Sequence, residues 1–446
     1  MDTPICDFVR QYADSGALRL HMPGHKGQAI LGMERLDLTE INGADSLYEA
    51  DGIIQRSERN ASLLFGCETC YSTEGSSQCI RAMLYLALLY ARLQGKKPLV
   101  AAGRNAHKTF LSAAALLDLE VTWLYPQEQA SYLSCKISAE ELDTALSHAK
   151  EASAAVYLTS PDYLGHCLDV HALAQVCHRH GALLIVDNAH GAYLRFLPQS
   201  RHPMDLGADL CCDSAHKTLP VLTGGAYLHL ASTLPESIRG QAKTALALFG
   251  STSPSYLILQ SLDAANRTLS NGYPERLKAF VSQVDRLKAR LAQQGYCLCA
   301  EEPLKLTLSA KPYGYTGVAL AQRLEEQRIV CEFADPDFLV LMFTPETGTE
   351  GLDRLEQALA AIPPRAPVLE TPPRFRRPER ALSIRQAILS PCETLPVAQC
   401  EGRILAAASV GCPPAVPIAV CGERLDRSAQ DCFRYYGIDT CTVVVE

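Results

Sequence analysis

Apolar and polar positions divide the chain into short apolar runs alternating with longer helical patterns. Between about residues 70 and 230 the apolar runs are 98–102, 121–125, 155–159, 183–187, 209–212 and 225–229. Helical periodicity fills stretches between them, among them 76–92 and 170–179. Near-continuous apolar strands alternating with helices predict a parallel sheet covered on both faces, because each strand must be buried on both sides. Such sheets bind ligands beyond the carboxyl ends of their strands. A long helix over 275–294, with Lys and Arg along one face, opens a second pattern. A strand at 305–309, a helix at 317–326, a strand at 338–343 and a helix at 350–361 follow, predicting a smaller α+β domain. Proline and arginine punctuate 362–380, which reads as a linker, and the rest of the chain reads as a small accessory domain.

Composition narrows the class. At roughly 150 residues per domain, a chain of 446 residues holds two or three domains. Apolar residues make up 48% and charged residues 20%, which excludes a disordered or fibrous chain. The net charge of −8, with no block of Lys and Arg, excludes a nucleic-acid or membrane-surface binder. The longest apolar run, 82–91, is about half the ~20 residues a membrane span needs. Asp2, Asp7 and Arg10 stand where a secretory apolar core would lie, so no leader is read. The 18 cysteines show neither a disulfide framework nor paired zinc spacing. The one C-x-x-C, Cys67 to Cys70, lacks a second pair, and Cys211-Cys212 lies in an apolar run. Both read as reduced thiols of a cytoplasmic protein, and no metal site is expected.

Three segments carry chemistry. Ser72-Thr73-Glu74-Gly75-Ser76-Ser77 leads into an apolar helix, where free N–H groups, hydroxyls and the helix dipole favour an anion. Simple capping by Ser76 is the plainer alternative. Asp187 ends an apolar run and is followed by Asn188-Ala189-His190-Gly191. A carboxylate there holds a pyridine nitrogen protonated, or merely caps a turn. Asp213-Ser214-Ala215-His216-Lys217-Thr218 precedes Gly224-Gly225 and suits a Schiff-base lysine among phosphate-binding hydroxyls; the plainer alternative is a surface lysine. The chain has no G-x-G-x-x-G, G-x-x-x-x-G-K-[ST], H-E-x-x-H or G-x-S-x-G pattern, so nucleotide, zinc-protease and hydrolase readings lack their motifs.

Phosphate loop, aspartate and lysine in that order resemble fold-type I enzymes that use pyridoxal phosphate. Further motifs narrow the resemblance to the ornithine/lysine/arginine decarboxylase family. They are Leu20-His21-Met22-Pro23-Gly24-His25-Lys26-Gly27, Thr39-Glu40, Gly43-Ala44-Asp45-Ser46-Leu47 and Arg104-Asn105-Ala106-His107-Lys108-Thr109. Ser160-Pro161-Asp162-Tyr163-Leu164-Gly165 and Thr252-Ser253-Pro254-Ser255-Tyr256 continue the series. Glu393-Thr394-Leu395-Pro396, Gly402-Arg403-Ile404 and Pro413-Pro414 extend it into the tail.

The resemblance implies an α/β large domain of the fold-type I transferase kind with a mostly parallel central sheet. It places an N-terminal arm at 1–30, the cofactor-binding large domain at 31–273, a small α+β domain at 274–370 and a C-terminal family domain at 371–446. It implies that Lys217 bonds pyridoxal phosphate through its amine, that Asp187 pairs with the ring nitrogen, and that Ala189 and His107 cover the two ring faces. Gly75, Ser76, Ser77, Ser214 and His216 would hold the phosphate, and Ser160 and His190 complete the shell. Thr252 or Ser253 would reach the phosphate of a neighbouring subunit, making the protein a homodimer or a dimer of dimers. Lys217 or His216 would reprotonate the carbanion. His25, Asp45 and Glu393 are the candidates for contacting a lysine, ornithine or arginine substrate, since a buried cation needs a partner.

Three positions depart from the family pattern: Asn188 where glutamate is usual, Glu74 where asparagine is common, and Ala215 where a larger residue is frequent. The start of the chain near the His21 motif reads as the short form without a receiver-like domain. An aminotransferase is the nearest rival, but the run 338–343 lacks the arginine that would clamp a substrate carboxylate. A non-catalytic relative is the remaining alternative.

Overall fold

The computed structural model describes residues 1–125, 132–374, 376–412 and 416–445. Seven strands carry the main sheet architecture: β1 (Glu68–Ser72), β2 (Leu99–Gly103), β3 (Glu120–Leu124), β4 (Ala155–Thr159), β5 (Leu183–Asp187), β6 (Leu210–Asp213) and β7 (Ala226–Leu230). The apolar runs predicted six of these to within a residue at each end. The chain divides into two compact units.

The first unit comprises Met1–Gly95 and Val170–Leu277. Its strands lie in the order β1, β7, β6, β5. β5 and β6 are parallel, with Asp187 opposite Cys212, while β7 runs antiparallel to both β6 and β1. All residues of β5, β6 and β7 are buried, which is why their sequences are apolar without alternation. β1 escaped the sequence reading because it is Glu68-Thr69-Cys70-Tyr71-Ser72. Four of these five residues are nonetheless buried, the polar ones satisfied by hydrogen bonds such as that of the Ser72 hydroxyl to Gln78 Oε1. The helix Gly75–Leu93 follows β1 directly. The N-terminal helix Pro4–Asp14 is anchored by the buried Asp263, whose carboxylate accepts the N–H groups of Ile5 at 3.0 Å and Cys6 at 2.9 Å.

The second unit comprises Lys96–Asp169 and Lys278–Glu446. Here β4, β2 and β3 lie side by side, all parallel. A four-stranded antiparallel sheet follows, in the order Phe333–Ala334, Phe338–Met342, Lys305–Ser309, Cys297–Cys299, with helices Gly317–Glu325 and Gly348–Ala360. The tail pairs Cys392–Pro396 with Thr440–Val444 and Ser409–Cys412 with Val416–Val420, and adds the helix Arg427–Tyr435. Val397, Leu405, Ile418, Phe433 and Val443 of the tail share one core with Phe333 and Val340 of the four-stranded sheet. Every cysteine side chain that is described is unbridged.

Candidate active site

The first unit builds a site at the carboxyl ends of β5 and β6, starting from an anion cradle. Between β1 and its helix the chain turns at Gly75, where φ is +71°, a conformation open to glycine. The Gly75 N–H donates to the Gly224 carbonyl at 2.7 Å. Gly224 has to be glycine as well: a Cβ there would lie 2.8 Å from the Thr73 carbonyl oxygen. Glu74, at the N-cap, supplies no side-chain cap to the helix, whose first turn presents Gly75, Ser76 and Ser77. The Ser214 hydroxyl donates to the Ser76 hydroxyl at 2.8 Å, so the loop after β6 meets the helix start. Two hydroxyls beside a helix N-terminus form an anion site.

Asp187 ends β5 and is buried, accepting the Ala189 N–H at 3.2 Å and facing the Cys212 thiol at 3.6 Å. Lys217 lies on the short helix Ala215–Thr218 that follows β6. Its ammonium donates to Nε2 of His190 at 3.0 Å, which places the remaining ring proton of a neutral His190 on Nδ1. The Gly225 carbonyl accepts both the backbone N–H of His216 and its ring Nδ1–H, at 3.2 and 3.0 Å. Nε2 of His216 therefore keeps its lone pair, and burial lowers the pKa of the ring.

Beneath the lysine loop sits a fully buried hub at Asp213. One carboxylate oxygen accepts Nε2–H from His202 at 3.0 Å and from His229 at 3.1 Å; the other accepts the Asn188 amide at 2.6 Å. Burial pushes the Asp213 carboxyl upward, but the two histidines outweigh it and hold the group well below the usual carboxylate range. Burial likewise lowers the pKa of His229. Among the described residues, His202, Cys211 and Asp213 also have ligand atoms close enough to share a metal ion. However, Nδ1 of His202 accepts the Met204 N–H at 3.3 Å, so Nε2 carries the proton and points it at the carboxylate. The cluster is wired as a hydrogen-bonded hub rather than as a set of lone pairs.

Comparison with known proteins decides the family. Residues 3–301 match the family described as Orn/Lys/Arg decarboxylase, major domain, and residues 373–439 match the Orn/Lys/Arg decarboxylase C-terminal domain. The chain belongs to this family. Similar curated proteins include an arginine decarboxylase of Bacillus subtilis, 28% identical, with 95% of this chain and 91% of the relative covered. An arginine decarboxylase of Halalkalibacterium halodurans is also 28% identical, over 96% of this chain and 91% of the relative. Among solved structures, the Francisella novicida lysine decarboxylase superposes with a TM-score of 0.80 at 16% identity, covering 99% of this chain and 81% of that one. The fold is thus the α/β fold that this decarboxylase shares with other enzymes of the fold-type I class.

With the family in hand, the departures from its pattern acquire reasons. Asn188 stands beside Asp213, and its amide donates to that carboxylate; a glutamate at 188 would set a second carboxylate against a buried one. Glu74 accepts the N–H of Ser251, which ties it to the exposed loop carrying Thr252 and Ser253. Nothing in the structure explains Ala215, which is simply buried.

The other sequence candidates fall in separate places. Asp45 is committed to a helix start: its carboxylate accepts the N–H groups of Gly52 and Ile54, both at 2.8 Å, ahead of the helix Ile53–Phe65. His25 lies in the N-terminal arm, with Nε2 3.2 Å from Asp37 and Nδ1 accepting the Gly27 N–H. In the second unit, His107 caps the helix Lys108–Leu116 through Nδ1 and the Thr109 N–H. Ser160 accepts the Leu168 N–H, and Glu393 accepts from Arg403 at 2.7 Å. Pro413-Pro414 lies outside the described residues. The sequence reading missed the roles of His202, His229 and Asp213, because their partners meet only through the pairing of β6 with β7 and the loop after β5.

Proposed function

We propose that this decarboxylase holds pyridoxal phosphate on Lys217 and removes the α-carboxylate of a basic amino acid, with arginine as its substrate. One observation carries the reading: parallel β5 and β6 bring a buried carboxylate and a lysine amine to the same edge, beside a hydroxyl-lined helix N-terminus. This donor set fits the cofactor, offering an amine for its aldehyde, an anion for its ring nitrogen and a cradle for its phosphate. When bound, pyridoxal phosphate supplies the electron sink that makes loss of CO₂ feasible.

The chain's own residues do the rest. Lys217, aimed by His190, would hold the cofactor's aldehyde through its amine. Asp187, shielded from water at the strand end, would hold a proton at the ring nitrogen. Ser76 and Ser77, with the first-turn N–H groups of the helix Gly75–Leu93, and Ser214 from the loop after β6 would hold the phosphate. Nε2 of His216 carries a lone pair and would have to take up a proton before it could deliver one in place of the lost carboxylate; the Lys217 ammonium is the other candidate donor. In the second unit, His107 is assigned the ring-stacking position that the family pattern implies, with Ser160 completing the shell. Of the carboxylates considered for the substrate's distal cation, Asp45 is taken up by backbone N–H groups, whereas Glu393, paired with Arg403 at 2.7 Å, still exposes 43% of its side chain and stays the candidate.

Arginine is favoured by several relatives matched over nearly their whole length, those of Bacillus subtilis, Halalkalibacterium halodurans and Bacillus anthracis, which are named arginine decarboxylases. The product is then an amine that keeps the guanidinium, which the family resemblance links to polyamine synthesis. A second copy of the chain is the assigned partner: Leu18, Leu20, Ile30 and Leu31 of the N-terminal arm are largely exposed, a row of apolar side chains that an interface would cover. Among the described residues no helix is long and apolar enough to cross a membrane, and the unbridged thiols support a cytoplasmic setting. CO₂ release measured separately with arginine, lysine and ornithine tests the substrate. A kcat/KM for arginine roughly tenfold or more above the others is expected; a preference for lysine or ornithine overturns the choice.

A further inference from the structure

The segment from Arg104 to Leu116, which holds the helix Lys108–Leu116 with His107 at its N-cap, is held at both ends by the C-terminal domain. At the front, β2 runs into Arg104, a guanidinium 1% exposed whose Nη2 donates to Glu423 at 2.8 Å and to the Ile418 carbonyl at 3.3 Å. Glu423 is itself buried and is fixed by the Val420 N–H, which donates to the same carboxylate oxygen at 2.9 Å. The guanidinium carbon also lies 5.1 Å from the ring centroid of Trp123, and Nε and Nη1 are buried without a partner among the described residues. Glu423 is therefore the counter-charge that keeps this cation in place.

At the back, Arg385 on the helix Ile384–Ile388 donates through Nη1 to the carbonyls of Ala115 at 2.8 Å and Leu116 at 3.3 Å. A cation on the last carbonyls of a helix satisfies groups that the helix itself leaves open and complements its dipole. Two independent contacts from residues 385 and 423 thus bracket one short helix. The helix interior is buried against its surroundings through Phe110, Leu111 and Ala113–Ala115, so it can shift only as a unit.

We propose that the C-terminal domain is a clamp on the His107 helix, with Glu423 and Arg385 as positioning residues for the decarboxylation. The inference rests on His107 being the ring-stacking residue. It assigns the tail a task in catalysis: without the clamp, His107 is no longer held to one position relative to its own strand.

The test compares the variants Arg385→Ala, Arg385→Lys, Glu423→Gln and His107→Ala with the wild type, all loaded with pyridoxal phosphate. Arg385 is half exposed, so its alanine variant should fold even where Glu423→Gln proves unstable. Hydrogen exchange of the 108–116 amides should quicken in Arg385→Ala and Glu423→Gln and stay slow in Arg385→Lys, which keeps a donor for the carbonyls. The two clamp variants should lose roughly 10- to 100-fold in kcat with little change in KM, the mark of misplaced catalytic geometry. The circular dichroism of the bound cofactor should weaken with them and recover in Arg385→Lys. Unchanged exchange and kcat in both clamp variants, with His107→Ala impaired, overturn the clamp. Wild-type behaviour of His107→Ala overturns the ring-stacking reading, and the catalytic purpose of the clamp falls with it.

Discussion

The Lys217 ammonium lies 3.0 Å from Nε2 of His190, although 27 residues separate them in sequence. The contact exists because β5 and β6 are parallel neighbours, so the loops leaving their carboxyl ends meet on one edge. A neutral imidazole with its lone pair on Nε2 points the lysine amine in a fixed direction.

His190→Ala removes that acceptor. The variant should bind substrate about as well as the wild type but lose roughly 10- to 100-fold in kcat through loss of orientation. Steady-state kinetics check this, and a kcat equal to the wild type would show that His190 does not orient the amine.

Asp213 is the keystone beneath the lysine loop. Asp213→Ala strips the acceptor from His202, His229 and the Asn188 amide at once, and should cost about 3–5 kcal/mol of stability in denaturant unfolding at pH 7. A loss under about 1 kcal/mol would contradict the hub. Asp213→Asn separates charge from shape. Because the folded-state carboxyl is held below its ordinary value, its contribution is present above the usual carboxylate range and is lost as pH falls below about 4. The stability gap between wild type and Asp213→Asn should therefore narrow on acidification.

Asp335 behaves in the opposite sense. Burial raises its pKa to about 6, despite the N–H groups of Asp337 and Phe338 that donate to its Oδ1, and Oδ2 is buried without a partner among the described residues. The folded protein then holds a proton that the unfolded chain releases near pH 4, so stability falls as pH rises from about 4 through 6. Asp335→Asn should raise stability by about 3 kcal/mol at pH 8 and by almost nothing at pH 4. Denaturant titrations at the two pH values check it; an equal effect at both would contradict the assignment.

Much of the fold was legible in the chain because its central strands are buried on both faces. Such strands must be apolar throughout, and their ends must fall near the turns that Asp187 and Asp213 begin. The long helices were equally readable, since Val170–Arg179 and Tyr273–Gln293 show their apolar stripe directly. β1 was not readable, because Thr69 and Ser72 are buried polar residues whose partners lie elsewhere in the chain. The antiparallel course of β7 also left no mark, since burial on both faces looks alike in either direction. At the candidate site, the 72–77 loop, Asp187 and Lys217 stood out through local patterns, and the fold brings them to one edge of β5 and β6. The Asp213 hub did not stand out: a buried aspartate looks like any other until one histidine arrives from the neighbouring strand β7 and another from the loop after β5. Asp45 shows the reverse case, a family-motif carboxylate that the fold commits to backbone N–H groups.

The covalent attachment of the cofactor is the claim on which the functional account turns. Borohydride reduction of the protein loaded with pyridoxal phosphate, followed by peptide mass spectrometry, reads the attachment point directly. A pyridoxyl group on the peptide containing Lys217, absent in Lys217→Ala, is the expected result. Labelling of another lysine, or no labelling of a protein that still releases CO₂, would contradict it.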